Sequence, residues 1–183
     1  KYGTVTFTYS DSKDGTYTDT VPTNAGTYYV KATVAGNENY SGLESIKSFE
    51  IKKADSSIAI TTSSLEKEYD SNAVNNPVVE KSGSTKDTAF TWYEKDGNGW
   101  KELSSAPADA GNYKVVASVE ADDNYNAASV EMEFTISQAT NAWTNELSIK
   151  DWTFGEQSNA PTATSKYGTV TFTYSDSKDG TYT

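Results

Sequence analysis

Acidic and amide side chains on predicted loops are the residues of this chain that could bind a metal ion. The segments Asp122-Asp123-Asn124 and Asp96-Gly97-Asn98 offer carboxylate and amide oxygens, the ligands that Ca²⁺ prefers. Neither segment has the spacing of an EF-hand loop, and Asp and Asn are also residues that form turns by bonding to nearby backbone. The turn explanation is favoured, and we predict neither a metal nor a cofactor.

A tryptophan next to one of these loops is the best candidate for ligand binding. Trp100 follows Asp96-Gly97-Asn98-Gly99, so its side chain could stand just beyond a hairpin tip and stack on a sugar ring. The alternative is that Trp100, like Trp143 and Trp152, packs across a hairpin or at the interface between two neighbouring folded units of the chain. Glycan binding at Trp100 therefore stays open as a hypothesis.

Enzymatic chemistry is not expected from this composition. The 183 residues include no His and no Cys, so the usual base near neutral pH, the thiol nucleophile, the thiolate metal site and the disulfide are missing together. A Ser or Thr nucleophile would need a positioned base. Paired carboxylates such as Asp122-Asp123 fit a solvated acidic surface, and we predict that the protein is not an enzyme.

The charge of the chain narrows the choice of partners. The sequence has 26 acidic and 15 basic residues, a net charge of −11, and every basic residue is Lys. Nucleic-acid binding depends on cationic patches and bidentate Arg contacts, and an anionic membrane surface would repel this chain. No apolar run approaches the roughly 20 residues of a membrane span. We predict no nucleic-acid binding and no membrane insertion.

Two repeats organise the sequence. Residues 1–18 recur unchanged as residues 166–183, which indicates a tandem array with a long repeat unit. Inside that unit, residues 22–54 align without gaps with residues 107–139. The identical pairs include Gly26 with Gly111, Asn39 with Asn124, Tyr40 with Tyr125 and Phe49 with Phe134. The array therefore alternates two related modules, which we call A and B.

The repeats predict the domain boundaries. Residues 1–54 are the C-terminal part of module A, residues 55–139 are a complete module B, and residues 140–183 are the N-terminal part of the next module A. The junctions between the modules are short and contain neither Gly nor Pro, which restricts hinge motion. We expect the modules to stack as a rod, with neighbouring repeats of the same chain as partners.

The hydrophobic pattern predicts strands throughout. Val5, Phe7 and Tyr9 alternate with threonines, the period-2 pattern of a half-buried strand, and residues 170–174 repeat it. Gly follows Asp at residues 14–15, 96–97 and 179–180, where hairpins would turn. No stretch has a helical stripe, so the predicted fold class is all-β, with β-sandwich modules.

Part of each module resembles immunoglobulin strand F. The segments Asn24-Ala25-Gly26-Thr27-Tyr28 and Asp109-Ala110-Gly111-Asn112-Tyr113 are similar to its D-x-G-x-Y motif, with Val30 and Val115 where that family has Cys. The resemblance implies an Ig-like sandwich in which Tyr28 and Tyr113 are tyrosine-corner residues. It also implies that Trp92 lies in the core, with Tyr9 or Tyr174 at its place in module A.

Whole modules resemble the bacterial Ig-like repeats of the MBG type. The segments that carry this resemblance are Trp152-Thr153-Phe154-Gly155, Tyr167-Gly168-Thr169-Val170, Ala25-Gly26-Thr27-Tyr28, Asn39-Tyr40 and Phe49-Glu50-Ile51. It implies an extracellular, cell-surface protein attached to the cell wall. The expected function is a structural stalk or spacer in an adhesin or fibre; the alternative is an adhesin module that binds host glycans or mucin.

The split of module A predicts one further kind of partner. Residues 140–183 carry its first strands and residues 1–54 its last, so neither segment closes a sandwich alone and each exposes strand edges and a core face. We expect that two molecules complete each other head to tail, a non-closing contact that produces filaments.

Overall fold

The computed structural model describes residues 3–183, and within that range every regular element is a β-strand. The predicted all-β sandwich class is confirmed. The chain divides into two compact units, Lys1–Ser137 and Gln138–Thr183. Among the described residues, no helix is long and apolar enough to cross a membrane.

Module A contributes one antiparallel sheet of three strands, with β2 in the middle. These strands are β1 (Val5–Ser10), β2 (Gly26–Val34) and β3 (Leu43–Ile51). The register places Phe7 opposite Ala32 and Tyr28 opposite Phe49. Because side chains alternate along a strand, this register collects most of the apolar residues of the three strands on one face, with Ile46 on the other.

Module B contributes two sheets that enclose a core. Its strands are β4 (Ser57–Ile60), β5 (Lys67–Glu68), β6 (Val79–Ser82), β7 (Thr88–Asp96), β8 (Gly99–Leu103), β9 (Gly111–Val119) and β10 (Ala128–Ser137). The larger sheet has the order β5-β10-β9-β7-β8, and β4 pairs with β6 in the smaller one. All pairs are antiparallel except β5 with β10, which run parallel.

The core of module B lies on the inner face of its larger sheet. Alternate residues of β9 are fully buried, with Val115 and Ala117 at 0 % exposure, and Ile136 of β10 is 1 % exposed. Each such Val or Ile contributes about 1.5–3 kcal/mol by leaving water. Trp92, Tyr113 and Phe134 complete this core, and Ile60 of β4 packs against it from the smaller sheet.

The same three ring positions are filled in both modules. In module B, Phe134 lies edge-on to Trp92 with ring centroids 5.9 Å apart and is tilted against Tyr113 at 5.7 Å. In module A, Phe49 lies edge-on to Tyr9 at 6.2 Å and is tilted against Tyr28 at 5.9 Å. Strands β1, β2 and β3 are thus the counterparts of β7, β9 and β10.

The second unit contains one pair of strands, β11 (Trp143–Ser148) and β12 (Thr162–Ser165), which are antiparallel with two register shifts. Residues 166–183 repeat the sequence that forms β1, but the strand predicted over residues 170–174 is absent. In β1 the same sequence is paired along its length with β2. The prediction was wrong there because residues 170–174 do not lie beside a partner strand as β1 lies beside β2; the backbone bonds between Tyr174 and Thr183 close only the turn that follows.

Candidate functional site

The loop Asp122–Asn126, which we call the junction loop, follows β9 and is shaped by one carboxylate. Asp122 Oδ1 accepts hydrogen bonds from the amides of Asn124 at 3.0 Å and Tyr125 at 2.9 Å, an Asx turn. Asp122 Oδ2 accepts from the amide of Thr85 at 2.9 Å. The sequence left a turn and a calcium site as alternatives here, and these contacts engage both carboxylate oxygens in hydrogen bonds with the protein.

These hydrogen bonds also set the acidity of Asp122. The amide of Thr85 is the main cause, and the amides of Asn124 and Tyr125 add to it, so that together they lower the pKa of the Asp122 carboxyl to about 2. Over residues 3–183 no group of three or more acidic side chains is arranged to hold a metal ion. The chemistry of Asp122 in this structure is that of a turn-forming anion.

The side chain of Asn124 connects the two modules. Its Oδ1 accepts a hydrogen bond from the amide of Ala25 at 2.8 Å, and its Nδ2 donates to Asn24 Oδ1 at 3.3 Å. Ala25 lies just before β2, so one amide side chain of module B binds the turn that begins the central strand of module A. The residues that meet here are about a hundred positions apart in the sequence.

The backbone of the junction loop also holds the chain segment that links the modules. The amide of Ala54 donates to the carbonyl of Asn124 at 2.9 Å, and the amide of Asn126 donates to the carbonyl of Ala54 at 2.8 Å. Asn126 Nδ2 reaches Asp55 Oδ1 at 2.8 Å, and Lys53 Nζ donates to the carbonyl of Asp122. The linker is therefore hydrogen-bonded on successive residues instead of being free in solvent.

Module A has a loop of the same design at Asn37–Ser41. Asn37 Oδ1 accepts from the amides of Asn39 at 2.9 Å and Tyr40 at 3.0 Å, the same Asx turn that Asp122 makes. The identity of Asn39-Tyr40 with Asn124-Tyr125 was visible in the sequence repeat. The role of Asn124 across the junction was missed, because it depends on contact between distant segments.

Trp100 lies on the outer face of the larger sheet of module B. It is half-buried in β8, opposite Lys95 of β7. Lys95 Nζ lies 4.5 Å and Lys114 Nζ 5.0 Å from the centre of a Trp100 ring, within the range of cation–π attraction. A shallow hollow beside the indole is lined by Asn112, Glu133 and Thr135, among others.

The two tyrosines of the strand F motif occupy equivalent places. The hydroxyl of Tyr113 donates to the carbonyl of Asp109 at 3.0 Å, four residues upstream. Burial is the main cause that raises the pKa of Tyr113, with Glu94 and Asp109 adding to it. The ring covers Gly111, where a Cβ would lie 2.8 Å from the hydroxyl oxygen; Tyr28 covers Gly26 in the same way, at 3.3 Å.

Comparison with known proteins identifies the modules. The sequence matches the MBG domain family over residues 2–55 and again over residues 58–140, which together make up most of the chain. This confirms the resemblance to MBG-type repeats and the tandem organisation; such domains are repeat modules of large extracellular proteins. No curated protein matches the chain. No solved structure matches it either.

Proposed function

The chain belongs to the MBG domain family, and from this premise we propose that it is a structural stalk or spacer segment of a bacterial cell-surface adhesin or fibre. In this proposal the protein is extracellular and attached to the cell wall, and its modules hold another part of the molecule away from the cell. Its function in this proposal is mechanical: the modules set how far from the cell that other part lies and in which direction it points.

The observation that carries this proposal is the junction between modules A and B. A spacer needs stiff connections, because a free linker lets successive modules point in any direction. Here Asn124 binds the turn before β2, and the loop backbone binds Ala54 from both sides. Each hydrogen bond of this kind contributes about 0.5–1.5 kcal/mol, and several acting on one short segment oppose bending together.

The stiffness of the junction can be measured directly with paired spin labels. The chain has no Cys, so Ser45→Cys in β3 and Ser104→Cys after β8 give one exposed label in each module. Pulsed electron–electron double resonance should give a narrow distribution of the distance between the two spin labels. Asn124→Ala should broaden it, because the bonds to Ala25 and Asn24 are lost.

The matched control is Asn39→Ala, which removes the equivalent amide from the loop of module A. Since Asn39 does not lie at the A–B junction, this variant should leave the distribution narrow. A broad distribution in the unmodified protein, or no difference between the two variants, would contradict a stiff spacer. Antibodies raised against the chain should also label intact cells of the producing organism.

A second candidate function is glycan or mucin binding by an adhesin module. The observation in its favour is the hollow beside Trp100, where polar side chains adjoin an aromatic ring. The two lysines over the indole stand against it, because a sugar would have to displace them. A glycan and mucin array probed with the protein and with Trp100→Ala decides the matter: binding that is lost in the variant supports this function, and silence supports the spacer.

A further inference from the structure

The contact at the A–B junction has a second set of matching parts in this chain. At that junction the side chain of Asn124 binds the turn Asn24-Ala25 of the module before it, a contact that we call the amide clasp. Because the two modules alternate along the array, a module B also stands before each module A. We propose that Asn39 of module A binds the turn Asp109-Ala110 of the module B before it, so that an amide clasp closes both kinds of junction.

The loop of module A already has the shape that the clasp needs. Asn37 Oδ1 accepts hydrogen bonds from the amides of Asn39 at 2.9 Å and Tyr40 at 3.0 Å, and the amide of Asn37 donates to the carbonyl of Tyr40 at 2.9 Å. The same three bonds form around Asp122 in the junction loop, with lengths between 2.9 and 3.0 Å. Because these bonds fix the loop backbone, Asn39 is placed in its loop as Asn124 is, and it is exposed.

The turn before β9 of module B matches the turn before β2. Each of these strands begins at a Gly that is covered by the ring of a Tyr two residues further on. Ala110 therefore stands before β9 as Ala25 stands before β2, and it is exposed, so a neighbouring module can reach it. The change that matters to the clasp is that Asp109 takes the place of Asn24.

That change strengthens the clasp. At the A–B junction, Asn124 Nδ2 donates to a neutral acceptor, Asn24 Oδ1, at 3.3 Å. In the proposed contact Asn39 Nδ2 donates to the carboxylate of Asp109, and hydrogen bonds to an ionised acceptor are about twice as strong as neutral ones. Asn39 Oδ1 accepts from the amide of Ala110, the counterpart of the shorter bond at the A–B junction.

The linker after module B can make the backbone contacts that the linker after module A makes. Ala54 is bonded to the junction loop through its amide and its carbonyl, and its equivalent after module B is Ala139. These two bonds need no particular side chain. A neighbouring side-chain bond is not kept, since Asn126, which reaches Asp55 at the A–B junction, is replaced by Ser41. The proposed contact therefore consists of the amide clasp and the linker backbone.

This inference rests on the observed A–B junction and extends the proposed function to the other junction of the array. Its test needs a B–A junction with both modules complete. Since residues 166–183 repeat residues 1–18, the full chain followed by residues 19–183 continues the array in register. This longer chain contains a module B, a complete module A and a second module B.

Spin labels on the two sides of the B–A junction measure the contact. Ser129→Cys in the first module B and Ser48→Cys in the complete module A are exposed, and both lie on strands outside the proposed contact. Pulsed electron–electron double resonance should give a narrow distribution of the distance between the two labels. Asn39→Ala in the complete module A should widen it, because both bonds of the clasp are lost.

Variants of the other partner and a matched control complete the experiment. Asp109→Ala in the first module B should widen the distribution less, because the bond between Ala110 and Asn39 remains. Asp109→Asn gives module B the residue of module A and should keep the distribution narrow. Asn124→Ala in the second module B is the control: it removes the clasp at the A–B junction only, so the distance across the B–A junction should not change.

Two results overturn the inference. One is a broad distribution across the B–A junction of the unmodified longer chain. The other is an Asn39→Ala variant that keeps the strand content by circular dichroism and is as narrow as the control. If Asn39→Ala lowers the strand content, Asp109→Ala decides in its place, and an unchanged width then overturns the inference.

The two junctions fail separately. A narrow distribution across the A–B junction with a broad one across the B–A junction contradicts the second clasp and leaves the stiff pair of modules A and B intact. Broad distributions across both junctions contradict this inference and the proposed spacer together.

Discussion

The aromatic cluster of module A and that of module B have nearly the same ring geometry but opposite surroundings. In both, a Phe of the last strand lies edge-on to one ring and tilted against a Tyr. Phe134 is 5 % exposed in a core against which Ile60 of β4 packs, whereas Phe49 is only partly buried. The arrangement of the rings is thus set by strand register within one sheet, and their burial requires the second sheet.

The largest difference between the two clusters should appear when their shared Phe is removed. Phe134→Ala should lower the free energy of unfolding by about 3–5 kcal/mol, because it opens a cavity in an enclosed core. Phe49→Ala should cost less than half as much, since solvent already reaches that face. Urea unfolding of both variants in dilute solution measures this. Equal losses would mean that the sheet β1–β3 is covered after all.

A reciprocal exchange should sharpen the comparison at a smaller scale. Trp92→Tyr gives module B the ring of module A. It should lower the free energy of unfolding by about 1–3 kcal/mol, because the smaller ring leaves part of the buried space of the indole empty. Tyr9→Trp gives module A the ring of module B and should be close to neutral, since the larger ring has open space. Thermal unfolding of the two variants measures this. A larger loss of melting temperature for Tyr9→Trp than for Trp92→Tyr would contradict the comparison.

The repeated segment allows the same comparison at the level of the backbone. The amide of Tyr9 bonds to Thr18, so the amides of its neighbours Thr8 and Thr6 face β2. They should exchange with deuterium about tenfold or more slowly than the amides of Thr171 and Thr173, which have the same sequence context. Residue-resolved exchange in dilute solution checks this. Equal rates would show that residues 170–174 form a ladder in solution.

The smallest effect concerns the two Asx turns. Asp122→Asn gives module B the residue that module A has at Asn37, so the turn should persist while the anionic contact with Thr85 is lost. The folded pKa of about 2 lies below the ordinary 3.8, so the carboxylate stabilises the fold above the ordinary value. This contribution is lost as the pH falls towards 2.

The melting temperatures of the unmodified protein and of Asp122→Asn should therefore differ at about pH 5 and converge near pH 2. Asp123→Asn is the control, because Asp123 is exposed and makes none of the contacts of Asp122 with Thr85. A constant difference at every pH would mean that the charge of Asp122 is not what the variant removes.

The sequence predicted local structure well where one segment contains the whole cause. The turn at Ser12–Gly15 has a hydrogen bond from Gly15 to Ser12, and its copy has the same bond from Gly180 to Ser177. The hydroxyls of Tyr17 and Tyr182 likewise each reach the carbonyl four residues upstream. These turns form identically in both places because their contacts lie within a few residues.

Features that depend on a distant partner were beyond the sequence. The alternation at residues 170–174 matches that of β1, yet only β1 is a strand, because only β1 pairs with β2. Asn124 looked like one more turn residue, but its side chain binds Ala25 of the other module. Trp100 lies just beyond the turn between β7 and β8, as the sequence predicted. The two lysines over its ring come from β7 and β9, and the sequence did not indicate that these strands would bring them to Trp100.

The parallel pairing of β5 with β10 has a consequence for a molecule under tension. These are an early and the last strand of module B, and they are joined at Ile136 with Lys67 and at Ser137 with Glu68, with a further bond from Tyr69 to Ser137. A force that pulls the two ends of the module apart slides such strands along each other. Their hydrogen bonds then bear the load simultaneously and not one after another, so module B resists extension in shear at its C-terminal strand β10.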